Sequence, residues 1–263
     1  MQPLVRNDLE ELETFADAKS LRSCMLVPLT KNDRSYGWLL AVNKGSVDHQ
    51  SAESTLPREH RKSELEFGTI EAGLMDSAAA MLATHARNVE LFRESESLFI
   101  GVIRALAGAI DAKDPYTCGH SDRVARIARR LAEEFRLDAA ECEQVYLAGL
   151  LHDIGKIGIA DRILCKPGPL TDEEYAEIKK HPVIGFAILR HVQHLQHALP
   201  GVLHHHESFD GTGYPGNLKG AETPLLARII AVADAYDAMA SDRPYRKAMP
   251  FEKAEAIFRE QAG

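Results

Sequence analysis

His152-Asp153-Ile154-Gly155-Lys156 is followed by His181-Pro182, then by His205-His206-Glu207 and Asp210-Gly211-Thr212-Gly213-Tyr214-Pro215. An adjacent His and Asp with further imidazoles downstream form the donor set of a carboxylate-bridged metal centre. Imidazole nitrogen and carboxylate oxygen both bind divalent iron, manganese or zinc, and one carboxylate can bridge two ions. The apolar run Leu147–Ile154 predicts a helix ending at Gly155, with His152 and Asp153 in its last turn. Neighbouring helix positions point about 100° apart. One pocket can therefore use both side chains only if one ion lies between them and a second lies beyond the carboxylate.

Working outward, His120 opens a helix after the turn-like Asp114-Pro115-Tyr116-Thr117-Cys118-Gly119. Asp234 lies in Ile229–Ala240, an apolar helical run whose only charges are Asp234 and Asp237. A carboxylate on such a face is costly unless paired or metal-bound. His181 begins a further helix just before Pro182. Each of these alone would be a structural residue; together they predict a metal site. Helices are expected at Asp122–Phe135, Ala139–Ile154, Asp172–Lys180, Val183–Gln196 and Ala221–Ala240, with a last one from near Phe251. Thr171-Asp172-Glu173-Glu174 has the pattern of a helix N-terminal cap. His191, His194 and His197 recur every three residues, a spacing that drifts around a helix, and read as a surface face. His204 cannot share one ion with both of its successors, and His49, His60 and His85 receive no role.

Composition narrows the function classes. A chain of 263 residues with 45% hydrophobic and 27% charged residues is an ordinary globular chain able to bury a core. A net charge of −8 argues against polymeric nucleic acid as a partner, because neutralising many phosphates needs surplus Lys and Arg. A small anionic substrate is compatible with it, since a few local cations dominate a cleft. Cys24, Cys118, Cys142 and Cys165 lack paired spacing and read as free thiols in a reducing compartment. No apolar run approaches the roughly 18 residues of a membrane span, and no secretory signal is visible. The expected location is cytoplasmic, with no membrane segment in this chain.

The N-terminal part has a different texture. Ser23–Leu29 and Tyr36–Val42 are short apolar runs around the polar Lys31-Asn32-Asp33-Arg34-Ser35, a hairpin pattern. Residues 46–64 read as a loop. From about Phe67, apolar residues step by three or four through Ile70, Leu74, Ala78, Met81, Val89, Phe92, Phe99, Val102, Leu106 and Ile110. Such a stripe fits a parallel coiled-coil dimer seam; the alternative is a helix packed on its own domain.

The chain from about Phe99 to Arg259 resembles the HD-GYP branch of the HD-domain phosphohydrolases, bacterial enzymes that degrade cyclic di-GMP. The resemblance rests on Gly119-His120-Ser121 with Arg123-Val124, the His152–Lys156 segment, Lys180-His181-Pro182, His205-His206-Glu207 and Gly213-Tyr214-Pro215. It continues through Ala233-Asp234-Ala235-Tyr236-Asp237-Ala238 and Asp242-Arg243-Pro244-Tyr245-Arg246. It implies an all-α HD-type domain in which His120, His152, Asp153 and Asp234 hold one ion. Asp153 would bridge to a second held by His181 and His205, with His206 as a neighbouring ligand. It further implies His152, Asp153 and Lys156 as catalytic residues, Lys156 on phosphate, and Asp210, Gly213, Tyr214, Pro215, Arg243 and Arg246 on the substrate side. The Gly-Tyr-Pro loop has an alternative reading as a rigid turn that only orients His205 and His206. Some members add a third ion on a glutamate one turn before the first histidine. Tyr116 stands there, so two ions are expected, iron or manganese.

Ser23–Leu29 and Tyr36–Lys44 resemble the last strands of a GAF sensory domain. The expected architecture is α+β: a partial GAF-like module over 1–66, a connecting helix over 67–112, and an HD-GYP phosphodiesterase domain over 113–263. The expected function is hydrolysis of cyclic di-GMP to linear pGpG, with GMP from a second round. A homodimer through the connecting helix and a diguanylate cyclase are the expected protein partners. The alternatives are a non-catalytic cyclic di-GMP receptor and an HD phosphohydrolase acting on another nucleotide.

Overall fold

The computed structural model describes residues 4–6, 23–42, 66–114, 119–242 and 247–261. The described part is mostly helical with one small sheet, and the chain divides into two compact units, Met1–Ser97 and Leu98–Gly263. Among the described residues no helix is long and apolar enough to cross a membrane.

The first unit holds three antiparallel strands in the order β1 (Leu4–Arg6), β2 (Cys24–Lys31), β3 (Arg34–Val42). The hairpin turn is tighter than the five polar residues suggested. Asn32 and Asp33 alone make it, at φ 49° and 61°, because short Asx side chains tolerate the left-handed conformation that two-residue hairpins demand. Leu26 pairs with Leu40 and Met25 with Ala41. Met25 and Val27 point to the buried face, where they meet Phe67, Met75 and Ala79. Three-residue β1 was not anticipated, being too short to show a period of two. Helix α1 (Thr69–Lys113) carries the long apolar stripe, and Ile70, Leu74, Met81 and Phe92 on it are exposed.

The second unit consists of helices and connecting loops, with no strand among its described residues. Its core lies between α2 (His120–Glu134), α3 (Ala139–Leu151), α7 (Leu199–His204) and α8 (Leu225–Ala240). Val124, Ala125, Ala128 and Ala132 form one buried face of α2 at helical spacing. Their small side chains let α2 approach α3, and both meet Ile229, Ile230 and Ala233 of α8. Leu150, Leu151 and Ile230 are almost wholly buried. Side chains of this size each stabilise by about 1.5–3 kcal/mol when removed from water.

Several helices are shorter than their patterns suggest. The run to Ile154 ends at Leu151, and a 3-10 turn covers Ile154–Gly158. There the Gly155 backbone lies so close to α6 (His181–Leu189) that a Cβ would sit 1.8 Å from the His181 carbonyl oxygen. The predicted Val183–Gln196 helix stops at Leu189. Val192 turns extended, Gln196 donates its side-chain amide to the Arg190 carbonyl at 2.5 Å, and a 3-10 turn Gln193–Leu195 buries Leu195. Asp172–Lys180 is realised as α5 (Asp172–Ile178), with the reciprocal Thr171–Glu174 cap in place. The segment expected from Ala221 starts its α-helix only at Leu225, because Pro224 cannot donate a helical hydrogen bond and holds its neighbour extended. A four-residue α4 (Asp161–Leu164) and a final α9 (Phe251–Glu260) complete the unit.

Candidate metal centre

Three of the predicted histidines are set by one local device. His152 caps the C-terminal end of α3, His205 caps α7, and His181 follows the end of α5. Their Nδ1 atoms lie 2.7 Å from Gly149 O, 2.8 Å from Val202 O and 2.8 Å from Ile178 O, in each case the carbonyl three residues back. A carbonyl only accepts, so each Nδ1 carries the proton and donates it. Each Nε2 is thereby left with a bare lone pair, the ligand form of imidazole. Helix ends have unsatisfied carbonyls to offer, so the sequence orients three rings with no further residues.

Those lone pairs face inward and toward one another. His152 Nε2 is buried with no hydrogen-bond partner. His181 Nε2 and His205 Nε2 are 3.2 Å apart, acceptor against acceptor. Burial lowers the pKa of both rings, with the neighbouring His206 adding to the effect at His205. Burial also lowers His206 to about 4, with help from His181. His181, His205 and His206 therefore resist taking up protons near neutral pH. A group of neutral, converging nitrogen donors with nothing donating back fits a cation.

Asp153 lies across the cluster. Its Oδ1 is 3.3 Å from His181 Nε2, whereas its Oδ2 is 3.4 Å from His152 Nε2 and 4.0 Å from His120 Nε2. Burial alone would raise its pKa. The Lys156 ammonium, 2.7 Å from Oδ2, and the surrounding imidazoles outweigh that and hold it well below the usual carboxylate range. Lys156 also reaches Asp114 Oδ2 at 3.4 Å and stays charged, its pKa raised against burial chiefly by Asp153.

On the Oδ2 side, His120 at the start of α2 meets α8. Its Nε2 is 3.2 Å from Asp234 Oδ1, and its Nδ1 lies 2.7 Å from Asp237 Oδ2. Burial would lower the His120 pKa, but these two carboxylates raise it to about 9. Ligand atoms of His120, His152 and Asp234 all fall within 4.8 Å of one another, as do those of His152, Asp153 and His205, and those of His181, His205 and His206. Seven predicted residues, His120, His152, Asp153, His181, His205, His206 and Asp234, thus come together in two donor groups on either side of one carboxylate. The donor set is all nitrogen and oxygen, suited to a divalent ion.

The other predicted residues are placed differently. Tyr214 is half-buried: its ring stacks on His206 at 4.8 Å, and its N–H donates to the His206 carbonyl at 3.1 Å. Gly213 is buried, and a Cβ there would lie 2.2 Å from Ser208 N and 2.4 Å from Glu207 Cα. Pro215 is exposed. Asp210 is engaged locally, accepting from Thr212 N at 2.9 Å and Thr212 Oγ1 at 2.7 Å. Tyr116, Arg243 and Arg246 lie outside the described residues, as do His49, His60 and the loop over 46–64. His191, His194 and His197 are exposed, as their spacing predicted, and His204 turns to Glu207 at 3.3 Å.

Two supporting carboxylates went unassigned in the sequence. Asp237 binds His120 and also accepts from Arg123 Nε at 2.6 Å and Nη2 at 3.0 Å. Its position three residues after Asp234, in the run Ile229–Ala240 that holds no other charge, was the available signal. Buried Glu207 accepts from Gly216 N at 2.6 Å and Leu218 N at 3.1 Å, which pins the Gly-Tyr-Pro loop under His206. Only its place beside two histidines hinted at that.

The HD domain profile matches residues 104–263. The chain belongs to the HD-domain family. Among curated relatives, a cyclic di-GMP phosphodiesterase of Thermotoga maritima is 44% identical over 167 residues, covering 63% of this chain and 45% of its own. The cyclic di-GMP phosphodiesterase response regulator RpfG of Xanthomonas campestris pv. campestris is 41% identical over 173 residues, 65% of this chain and 44% of its own. The 3′3′-cGAMP-specific phosphodiesterase 3 of Vibrio cholerae is 41% identical over 159 residues, 60% of this chain and 35% of its own. The chain spans less than half the length of these relatives.

Proposed function

We propose that this HD-domain chain is a metal-dependent phosphodiesterase that hydrolyses cyclic di-GMP to linear pGpG, with GMP as the product of a second round. The observation that carries the reading is the bridging position of Asp153, one oxygen toward His181 and the other toward His120 and His152. His120, His152, Asp153 and Asp234 would hold one divalent ion, and Asp153, His181, His205 and His206 a second. Iron or manganese suits an N/O donor set without thiolate. When bound, such ions lower the pKa of water toward ~7 and offset charge on phosphoryl oxygens.

The chain's own residues supply the rest. The rings of His152, His181 and His205 are fixed by backbone carbonyls, so the donors are preorganised and little motion is needed on binding. Lys156 brings a permanent cation to the edge of the cluster, where it would offset charge on a non-bridging phosphate oxygen. The Asp153–Lys156 contact also keeps Asp153 ionised. Arg243 and Arg246, by resemblance, would add cationic contacts to the substrate. The Gly-Tyr-Pro loop, with Asp210, Gly213, Tyr214 and Pro215, would form the substrate-side wall and a docking edge for a diguanylate cyclase.

The same reading assigns residues 1–66 to a partial GAF-like module, 67–112 to a connecting helix and 113–263 to the phosphodiesterase domain of a cytoplasmic signalling protein. That protein would dimerise through α1. A second substrate reading has its own support: the cGAMP-specific relative of Vibrio cholerae matches at 41%, level with RpfG.

The test is elemental analysis of anaerobically purified protein beside a cleavage assay on cyclic di-GMP, 3′3′-cGAMP and a nucleoside monophosphate. Release of pGpG by a protein holding two ions per chain, lost in Asp153→Ala with the helical fold retained, is expected. Binding of cyclic di-GMP with no pGpG over hours would establish a receptor instead.

A further inference from the structure

We infer that Lys113, the last residue of α1, is a positioning residue for Asp153 and Lys156, an inference that rests on the phosphodiesterase reading. A lysine in the last turn of a helix ordinarily serves its own carbonyls. Lys113 instead leaves its helix. Its Nζ lies 3.2 Å from Lys156 O, 3.1 Å from Ile157 O and 2.8 Å from Ile159 O. An ammonium has three protons to donate, and three carbonyls of another segment receive them. Exposed Asp161 adds a contact at 3.2 Å.

Lys156 and Ile157 lie in the 3-10 turn Ile154–Gly158 and Ile159 caps its end; the Lys156 oxygen also accepts from Ile159 N–H at 3.1 Å, and carbonyls at the C-terminal end of such a turn gather partial negative charge. Asp153 caps the start of the same turn. Lys156, inside it, closes back on Asp153 Oδ2, and Asp114, next to Lys113, contacts Lys156. Loss of the Lys113 bonds would leave the turn to relax, and the Lys156 ammonium would move with its backbone.

The same end of α1 also grips the other donor group. Asp111 Oδ1 accepts from Ser121 Oγ at 2.6 Å, and Oδ2 from Ser121 N at 3.2 Å; Ser121 directly follows His120. One helix turn thus holds a residue adjacent to His120 and the turn that begins at Asp153. The short span from Asp111 to Lys113 thus links the His120 side of the site to the turn that carries Asp153.

The experiment compares wild type with Lys113→Met, which keeps the aliphatic stem and removes the donors, and Lys113→Arg, which keeps a cationic donor. Amide hydrogen exchange over 153–160 is read on metal-loaded protein, together with kcat on cyclic di-GMP, bound metal and Tm. In Lys113→Met, exchange of the Lys156 and Ile159 amides should rise about tenfold, and kcat should fall about 10–100-fold, the usual effect of disturbing a residue behind a metal ligand. Bound metal and Tm should stay near wild type, and Lys113→Arg should recover most of the kcat. Unchanged exchange and turnover in Lys113→Met would overturn the inference. So would activity lost only in step with Tm and metal, the mark of a purely structural lysine. If Lys113→Met does not fold, Lys113→Gln, with two donors, is held to the same criteria. If wild type itself turns over no cyclic dinucleotide, the phosphodiesterase reading falls, while the exchange data alone still decide the role of Lys113.

Discussion

Asp237 Oδ2 lies 2.7 Å from His120 Nδ1, on the far side of the ring from Asp234. The carboxylate, also bonded to Arg123, is held ionised: burial works against it, and the contacts with His120 and Arg123 prevail. It therefore anchors a proton on His120 Nδ1 and turns Nε2 toward Asp234 and the donor group, so that an ion replacing the Nε2 proton would find the ring already oriented. Asp237→Ala should weaken metal affinity by about 10–100-fold, as loss of a carboxylate behind a ligating histidine does. Competition with a graded chelator measures it. Asp237→Asn, which still accepts a hydrogen bond, should lose less; equal affinity in all three proteins would refute the orienting role.

Gly155 packs on the His181 carbonyl more closely than any side chain permits. A Cβ there would also lie 2.6 Å from Gly185 N, so backbone, not a flexible side chain, would have to move. Gly155→Ala should cost about 1–3 kcal/mol, the range for forcing atoms into a packed core, and should push α6 and His181 away from Asp153. Urea unfolding gives the stability. Bound metal per chain tests the displacement, and it should fall toward one ion in the variant.

The donor residues were legible from the sequence because each belongs to a residue type that is costly to bury alone. His152, His181 and His205 are almost wholly buried, and such groups need a reason to be there. The framework was legible wherever apolar spacing was regular, as in α2 and α8. It failed where backbone contacts override spacing. The close approach at Gly155 and the Gln196 bond to the Arg190 carbonyl end helices whose apolar patterns run on. Asp237 and Glu207 carried only a faint signal as supports and Lys113 none, because their partners lie far along the chain or on the backbone. Sequence spacing carries no information about which carbonyl a side chain reaches.

Glu174 ties the stability of α5 to pH. The Lys166 ammonium at 2.5 Å, together with the Thr171 N–H, lowers its pKa below the usual value. A depressed carboxylate stabilises the folded form above its unfolded pKa, and that contribution is lost as pH falls through the folded value. Glu174→Gln should therefore loosen α5 at pH 7, and the difference from wild type should vanish toward acid. Because the Ile178 carbonyl at the end of α5 accepts from His181 Nδ1, loosening should reach that ring. Hydrogen exchange of α5 amides, read against pH in both proteins and corrected for intrinsic rates, checks it. A difference that persists in acid would rule out the Glu174 charge as its source.

Phe92 is 71% exposed on α1, and Leu74, Met81, Val102 and Leu106 on the same helix are exposed as well. Within the first unit, positions 74 and 81 fall in one heptad register and 92 falls in the adjacent one, so the three share a seam. Large apolar side chains in such a row remain in water unless another surface covers them, and a second copy presents the same register to itself. Phe92→Glu places a charge in that seam and, across a parallel pair, places it against its own like. Sedimentation should show the wild type as a dimer and the variant shifted toward monomer, by about tenfold or more in Kd. Isolated unit stability should be unchanged, since Phe92 contributes to no buried cluster. Identical sedimentation of the two proteins across a concentration series would exclude α1 as the dimer seam.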